Sequence, residues 1–269
     1  MLAKKEKEQY LLKVHNLTHW FGSQDQKLVV LKDVSFQVKE KEFITIIGPS
    51  GCGKSTLFNL ISGLLKPKQG KIFMGGSKEL NDINDQTAYM FQKDLLLDWR
   101  DVLGNAILGG EILGESKEKL KQEAMKWMEV FGLKGFEHNY PFTLSGGMRQ
   151  RVAFLRTLLT EREIMLLDEP FGALDAYTRK IMQKFLLDIW DNLNRTVLFI
   201  THDIDEAILL ADRVLIMSER PTTIKAVVEV PFSRPRHSYD ILLSDEYTKL
   251  KGFIIKEIYP TTKEEGGLG

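Results

Sequence analysis

Gly48-Pro49-Ser50-Gly51-Cys52-Gly53-Lys54-Ser55-Thr56 is the stretch on which the reading of this chain turns. Before it, Phe43 to Ile47 is an apolar, partly β-branched run that suits a buried strand; after it, apolar residues at 57, 60, 61 and 64 follow helical spacing. The glycines therefore sit between a strand and a helix. Glycine at 48, 51 and 53 lets backbone N–H groups approach a triphosphate closely, and the helix behind them offers its positive N-terminus. In that frame the loop from Gly48 through Pro49, Ser50, Gly51, Cys52 and Gly53 to Thr56 cradles phosphates. Lys54 reaches the outer ones, and the Ser55 hydroxyl ligates the Mg2+ that accompanies them. Cys52, inside a ring of N–H groups at a helix N-terminus, is expected to favour its thiolate. A phosphate cradle leaves the chemistry open, because kinases, GTPases and transport ATPases all use one.

The 269 residues are enough for one large domain or two small ones and for a sizeable core. Lysine plus arginine match aspartate plus glutamate at 37 each, which argues against a global basic field for nucleic acid. No apolar run approaches the roughly 18 residues that suggest a membrane span, so the chain is not expected to cross a bilayer by itself. Met1 to Tyr10 is charged and lacks the apolar stretch of a secretory signal, which makes cytosolic residence the expectation. Cys52 is the only cysteine, so neither an intrachain disulfide nor a cysteine metal cluster is available.

Upstream of the loop, Leu11 to Val14 and Val29 to Val38 read as strands, with Trp20 and Phe21 between them. Either ring suits core packing; the alternative is stacking on a base. Downstream, Lys71 to Met74 is a strand, Gly75-Gly76 a turn, and Thr87 to Phe91 a further strand that ends at Gln92. An amide at that edge either contacts Mg2+ or the attacking water, or is an ordinary surface residue. Leu95-Leu96-Leu97-Asp98-Trp99-Arg100 is unusually apolar for a connection. It either tucks beneath the helices that follow or presents an exposed patch to a partner.

From Val102 to Thr160 the pattern is helical, with Leu120, Ala124, Trp127, Met128 and Phe131 on one face. At its end Ser145 caps a helix carrying Val152, Leu155 and Leu158, and Gly146 and Gly147 expose N–H groups at the positive end: a second anion site, or a plain cap. Ile164 to Leu167 is an uninterrupted apolar run of the kind covered on both faces, and it ends in Asp168-Glu169. In a chain with a phosphate loop, such a pair divides labour. Asp168 holds Mg2+ through water, and Glu169 polarises the water that attacks the γ-phosphate. Val197 to Ile200 repeats the buried strand and Thr201-His202-Asp203 its polar exit; of the five histidines, His202 alone lies at such an edge. Arg213 to Met217 and Ile224 to Val230 are strands, and Ser244 to Tyr259 is a helix.

Taken together these segments resemble the ATP-binding subunit of an ABC transporter, over nearly the whole chain from about Leu11 to Tyr259. The ordered set is Gly48 to Thr56, Gln92, Leu-Ser-Gly-Gly at 144 to 147, Leu-Leu-Asp-Glu-Pro at 166 to 170, Ala-Leu-Asp at 173 to 175 and Thr-His-Asp at 201 to 203. The resemblance implies an α/β fold: a P-loop ATPase core over about 11–92 and 161–259, with an N-terminal antiparallel β subdomain, an inserted helical subdomain over about 93–160, and mobile tails at 1–9 and 260–269. It implies a head-to-tail dimer in which Ser145, Gly146 and Gly147 close over the ATP held by the opposite subunit, with Asp175 communicating across the dimer. Glu169, His202, Gln92 and Lys54 become the catalytic set, Ser55, Gln92 and Asp168 the Mg2+ ligands, and Phe21 the ring that stacks on adenine, with Trp20 a less fitting substitute.

Leu95 to Arg100 is similar to a segment of importers of nitrate, aliphatic sulfonates and taurine, and Ser218-Glu219-Arg220-Pro221 with Arg234-Pro235-Arg236 resembles their C-terminal strands. Asp98 stands where proline is usual there. The family reading makes Leu95, Leu96, Leu97 and Trp99 a docking patch for an integral membrane permease, with an external solute-binding protein as an indirect partner and no nucleic acid. The protein is then peripheral, on the cytoplasmic face of the membrane. Two other classes compete: a soluble ABC-type switch acting on a non-membrane partner, and a small-molecule P-loop kinase, which leaves Ser145 to Gly147 and His202 without a task.

Overall fold

The computed structural model describes residues 10–23, 26–75, 78–80, 86–193, 195–234, 236 and 239–259. The expected tails at 1–9 and 260–269, and Gly76 of the expected turn, lie outside the described residues. Up to residue 83 the chain forms β1 (Tyr10–Phe21), β2 (Leu28–Lys39), β3 (Phe43–Ile47), α1 (Lys54–Ile61), β4 (Gln69–Met74) and β5 (Lys78–Glu79). Next come β6 (Thr87–Met90), α2 (Val102–Ala106), α3 (Leu108–Ile112), α4 (Lys117–Met128), a 3-10 turn at Pro141–Thr143, α5 (Gly146–Leu158), β7 (Ile164–Asp168), α6 (Ala176–Leu193) and β8 (Thr196–Ile200). The remainder is α7 (Ile204–Leu210), β9 (Arg213–Met217), β10 (Ile224–Glu229), α8 (Tyr239–Leu242) and α9 (Asp245–Ile258). Contacts divide the chain into one unit of 1–83 with 200–269 and a second of 84–199.

In the first unit, β1 pairs antiparallel with β2 (Val14 opposite Phe36) and with β4 (Val14 opposite Ile72), giving a sheet in the order β2-β1-β4-β5. This is the antiparallel sheet expected at the N-terminus. It is longer than expected, because β1 runs on through Trp20 and Phe21. Past Val14, where the expected strand ended, the register shifts as an irregularity inside β1. Asn16 takes a φ of 47°, its N–H donates to Ser35 Oγ at 2.7 Å, and the Ser35 hydroxyl donates to Asn16 Oδ1 at 3.0 Å. The second ladder of this unit is parallel between β3 and β9 (Ile46 opposite Leu215) and antiparallel between β9 and β10. All five residues of β3 are buried, and the hydroxyl of its one polar residue, Thr45, donates to the Ala207 carbonyl at 3.2 Å.

The second unit carries the parallel pair β6 and β7, Tyr89 opposite Leu166, with α5 and the shorter helices as cover. Within Val102 to Thr160 the described elements are helical, as the sequence pattern predicts. What the periodicity did not show is a run of aromatic contacts: Trp127 to Phe185 (5.8 Å), Phe185 to Phe131 (5.0 Å), Phe131 to Phe154 (5.5 Å), Phe154 to Phe171 (6.0 Å) and Phe171 to Phe199 (5.6 Å). The first four pairs meet edge to face, the arrangement the ring quadrupoles favour. These contacts link α4, α6, α5 and the turn after β7 to β8.

Candidate functional site

In the first unit the phosphate loop grows out of the end of β3. A Cβ at Gly48 would come within 2.8 Å of the Met217 carbonyl oxygen, so only glycine lets the chain leave β3 past the end of β9. Gly53 has a φ of 120°, and a side chain there would meet Val30 Cγ1 at 2.5 Å. No side chain caps the start of α1, so its first-turn N–H groups face the loop as an anion-binding end. Lys54 Nζ donates to the carbonyls of Gly48 (2.9 Å) and Pro49 (3.0 Å), closing the loop on itself. Ser50, Gly51 and Ser55 are exposed along it, with Pro49 and Thr56 half-buried.

Cys52 overturns an expectation. It is buried, and burial pushes its thiol pKa up; the nearby Lys54 charge pulls the other way without winning. The favoured species is the thiol. From behind, the buried Thr222 hydroxyl donates to the Cys52 carbonyl, a contact that no local pattern signals.

Phe21 and Trp20 separate clearly. Phe21 is 43% exposed, with its ring edge-on to His19 at 4.9 Å, whereas the Trp20 ring has the Lys27 ammonium over it at 4.8 Å. Burial lowers the His19 pKa, so the ring beside Phe21 is a neutral imidazole. At the other end of this unit the Thr201 N–H donates to Ile46 O (3.3 Å), which brings His202, one residue on, beside the end of β3. His202 is exposed, while Asp203 caps α7 by accepting from the N–H groups of Asp205 (2.9 Å) and Glu206 (3.1 Å).

In the second unit β7 carries Asp168 to a buried strand end, where the Tyr89 hydroxyl of β6 hydrogen-bonds to its carboxylate. Burial and that carboxylate both push the Tyr89 pKa far up, so the phenol stays protonated and donates. Glu169 follows with a φ of 49°, a left-handed backbone that a non-glycine residue adopts only when its surroundings hold it. The holders are visible. Gln92 Nε2 donates to Glu169 Oε2 at 3.1 Å, Gln150 Nε2 to the Glu169 carbonyl at 2.9 Å, and the Gly172 N–H to the same carbonyl at 3.1 Å. Gln150 Oε1 in turn accepts from the Ala173 N–H at 2.8 Å. Gln92 is exposed, and its amide is brought to the Glu169 carboxylate. Gln150 was missed, although a signal existed: a glutamine on the buried face of α5, among Ala153, Phe154 and Thr157, had to find partners.

Ser145 caps α5, its hydroxyl accepting from the Met148 N–H at 3.2 Å. Gly146 is exposed, and a Cβ at Gly147 would come within 3.2 Å of Leu174 Cδ2, so the start of α5 packs against the turn that Gln150 braces. Asp175 opens α6, accepting from the N–H groups of Tyr177 (3.0 Å) and Thr178 (2.9 Å) and from the Thr178 hydroxyl (2.6 Å). The Thr178 hydroxyl bond, foremost, holds its carboxyl below the usual range.

The two readings of Leu95 to Arg100 resolve in favour of exposure for two of the side chains. Trp99 is 75% exposed and Leu95 51%, with Leu96 and Leu97 half-buried. The loop is nonetheless firmly held. The fully buried Asn105 accepts from the Leu97 N–H (2.8 Å) and donates to the carbonyls of Leu97 (3.1 Å), Arg100 (2.9 Å) and Asp101 (3.0 Å), while Arg156 donates to those of Asp94 (2.7 Å) and Leu95 (2.8 Å). A rigid backbone that points an indole and a leucine into solvent suits a partner surface.

A family model described as ABC transporter matches residues 31–172. An uncharacterized ABC transporter ATP-binding protein of Methanocaldococcus jannaschii is 42% identical over 262 residues, covering 97% of this chain and 98% of that protein. An aliphatic sulfonates import ATP-binding protein of Bacillus thuringiensis is 38% identical over 255 residues (95% and 96%). A taurine import ATP-binding protein of Yersinia pestis is 45% identical over 191 residues (71% and 74%). Among solved structures, a dimeric ATP-binding cassette in a post-hydrolysis state bound to ADP and Pi aligns with a TM-score of 0.75 at 29% identity, covering 82% of this chain and all (100%) of that one.

Proposed function

Because the chain belongs to the ABC transporter family, we propose that it is the ATP-hydrolysing subunit of an importer for a small solute of the aliphatic sulfonate, taurine or nitrate type. The observation that carries the catalytic part is the Glu169 carboxylate, set at the exit of β7 by a left-handed backbone and held by Gln92 at 3.1 Å. A carboxylate so fixed orients a water and takes its proton as the γ-phosphate is attacked. Lys54 and the N–H groups from Gly48 to Thr56 bind the phosphates, Phe21 stacks on adenine, and His202 steadies the γ-phosphate and the water.

The donor types proposed for Mg2+ suit it chemically. Ser55, Gln92 and Asp168 offer hard oxygen donors, and Tyr89 orients the Asp168 carboxylate. Bound Mg2+ would neutralise developing phosphate charge.

In this reading two copies work head to tail, with Ser145, Gly146 and Gly147 over the ATP of the opposite subunit and Asp175 relaying between them; that the similar cassette bound to ADP and Pi is dimeric supports a dimer. In this reading about 11–92 with 161–259 is the α/β core and about 93–160 the helical subdomain. No helix among the described residues is long and apolar enough to cross a membrane; that similar proteins are named as import ATP-binding proteins supports a separate permease as the carrier of the solute. The chain then sits peripherally at the cytoplasmic face, with a solute-binding protein outside. Leu95, Leu96, Leu97 and Trp99 form the permease-docking patch, with Leu95 and Trp99 as its exposed anchors.

The test is the double variant Leu95→Ala with Trp99→Ala. It should leave melting temperature and ATP binding of the lone subunit unchanged and abolish co-purification with the permease, since central anchors commonly contribute roughly 2 kcal/mol or more. Retained assembly would remove the patch from this role. Solute-stimulated hydrolysis by the reconstituted complex, compared across taurine, an alkanesulfonate and nitrate, identifies the cargo.

A further inference from the structure

Arg220 lies on the turn between β9 and β10, exposed, and stands over the phosphate loop: a Cβ at Gly51 would come within 3.3 Å of its Nη2. Its charge also acts on the Cys52 thiol. The turn is fastened on several sides. The buried Thr222 gives its hydroxyl to the Cys52 carbonyl and its N–H to Val30 O (2.9 Å), and its carbonyl accepts from the Lys32 N–H (2.9 Å). Ser218 and Thr223 close the turn, the Ser218 N–H donating to Thr223 O (3.1 Å) and the Thr223 N–H to Ser218 Oγ (3.0 Å). Among the described residues Arg220 has no ion pair or side-chain hydrogen bond, even with the adjacent Glu219. Backbone anchors thus hold a guanidinium at an anion-binding loop without giving it an anion.

We propose that Arg220 is a nucleotide-binding residue, a second cation that joins Lys54 at the phosphates of bound ATP or ADP from the β9–β10 turn. The two cations divide the work. Lys54 is buried and occupied with the Gly48 and Pro49 carbonyls, so it shapes the loop as well as neutralising charge. Arg220, exposed and planar, can set two parallel N–H groups against phosphate oxygens. The inference rests on the nucleotide reading of the phosphate loop.

Titration calorimetry with ADP on the purified chain tests it, with Lys54→Ala as the control that reports on the loop itself. Arg220→Ala should weaken ADP binding about tenfold, the scale of one charge-assisted contact. Arg220→Lys should recover part of the loss, and the melting temperature of the nucleotide-free chain should stay at the parent value. The gap between Arg220→Ala and parent should narrow as salt is raised from about 50 to 300 mM, because an exposed charge is screened. Unchanged ADP affinity in Arg220→Ala, with Lys54→Ala impaired, overturns the inference alone. A lowered melting temperature in both Arg220 variants, in step with their affinities, overturns it in favour of a structural role. Failure of the parent chain to bind ADP removes the nucleotide reading first, and the role of Arg220 with it.

Discussion

Strands β7 and β8 are built alike and end differently. Each is five residues long with every residue buried, and each is followed by polar side chains. Beyond β8 the chain passes through Thr201 and His202 to Asp203, which caps α7 through its own neighbours in sequence. Beyond β7 it enters the left-handed region at Glu169 and is kept there by Gln92 and Gln150, which are 77 and 19 residues away. One exit is satisfied locally. The other is imposed from a distance, and imposed strain of that kind marks a group whose position matters more than its stability.

The comparison breaks most visibly at Glu169. If its carboxylate is the base, Glu169→Gln keeps the side-chain shape and loses about 10²–10⁴ of ATP turnover, or about 3–5 kcal/mol of barrier. ATP affinity should be retained and an ATP-bound dimer should accumulate. Turnover near the parent rate would reduce the β7 exit to a second version of the β8 exit.

Gln150 comes next, because it is the brace. Removing a buried glutamine that makes two hydrogen bonds leaves the Ala173 N–H without its partner and should lower stability by about 1–3 kcal/mol. A mere packing residue would leave the turnover per folded molecule unchanged. A brace of Glu169 would lower that turnover with ADP affinity intact, and single-turnover hydrolysis on folded Gln150→Ala separates the two.

How much of this was legible follows from where each constraint comes from. Glycines at 48, 51 and 53, the buried runs of β3, β7 and β8, and the polar residues that follow each run are local patterns. Composition and spacing therefore gave the phosphate loop, the strand ends and the cap at Ser145, whereas Asp203 was read only as part of a polar exit. Glu169 was named without its left-handed backbone, since nothing in Asp168-Glu169-Pro170 specifies that conformation. Thr222 behind Cys52, Asn105 under the Leu95 loop and Tyr89 on Asp168 were not legible, because each acts through a contact made only after the chain has folded. The thiol of Cys52 was misjudged for a related reason: the helix N-terminus is visible in sequence, whereas the burial that outweighs it is not.

Asp203 tests the local side of the comparison. Asp203→Ala removes acceptors for two N–H groups of α7 and should lower stability by about 1 kcal/mol, within the usual range for a lost cap. Turnover should fall far less than in Gln150→Ala, because the cap holds its own helix and not a distant carboxylate. A loss of turnover equal to that of Gln150→Ala would make the two exits equivalent after all.

The smallest effect is the most discriminating, because it compares backbones directly. Glycine and alanine at position 169 both remove the carboxylate, so the difference between the two variants sets the φ of 49° against glycine's extra freedom when unfolded. A left-handed residue with a Cβ costs about 1–2 kcal/mol, and the extra freedom glycine has when unfolded offsets about 0.5–1 kcal/mol of that. Glu169→Gly should therefore be more stable than Glu169→Ala by about 0.5 kcal/mol. His202 is not among the residues of positive φ, so glycine there brings only its entropic penalty, and His202→Gly should be less stable than His202→Ala by about 0.5–1 kcal/mol. Denaturant melts of the four variants give both differences under one set of conditions. Opposite signs at the two exits establish that strain is stored after β7 and not after β8; the same sign at both would mean that Glu169 sits in its turn without strain.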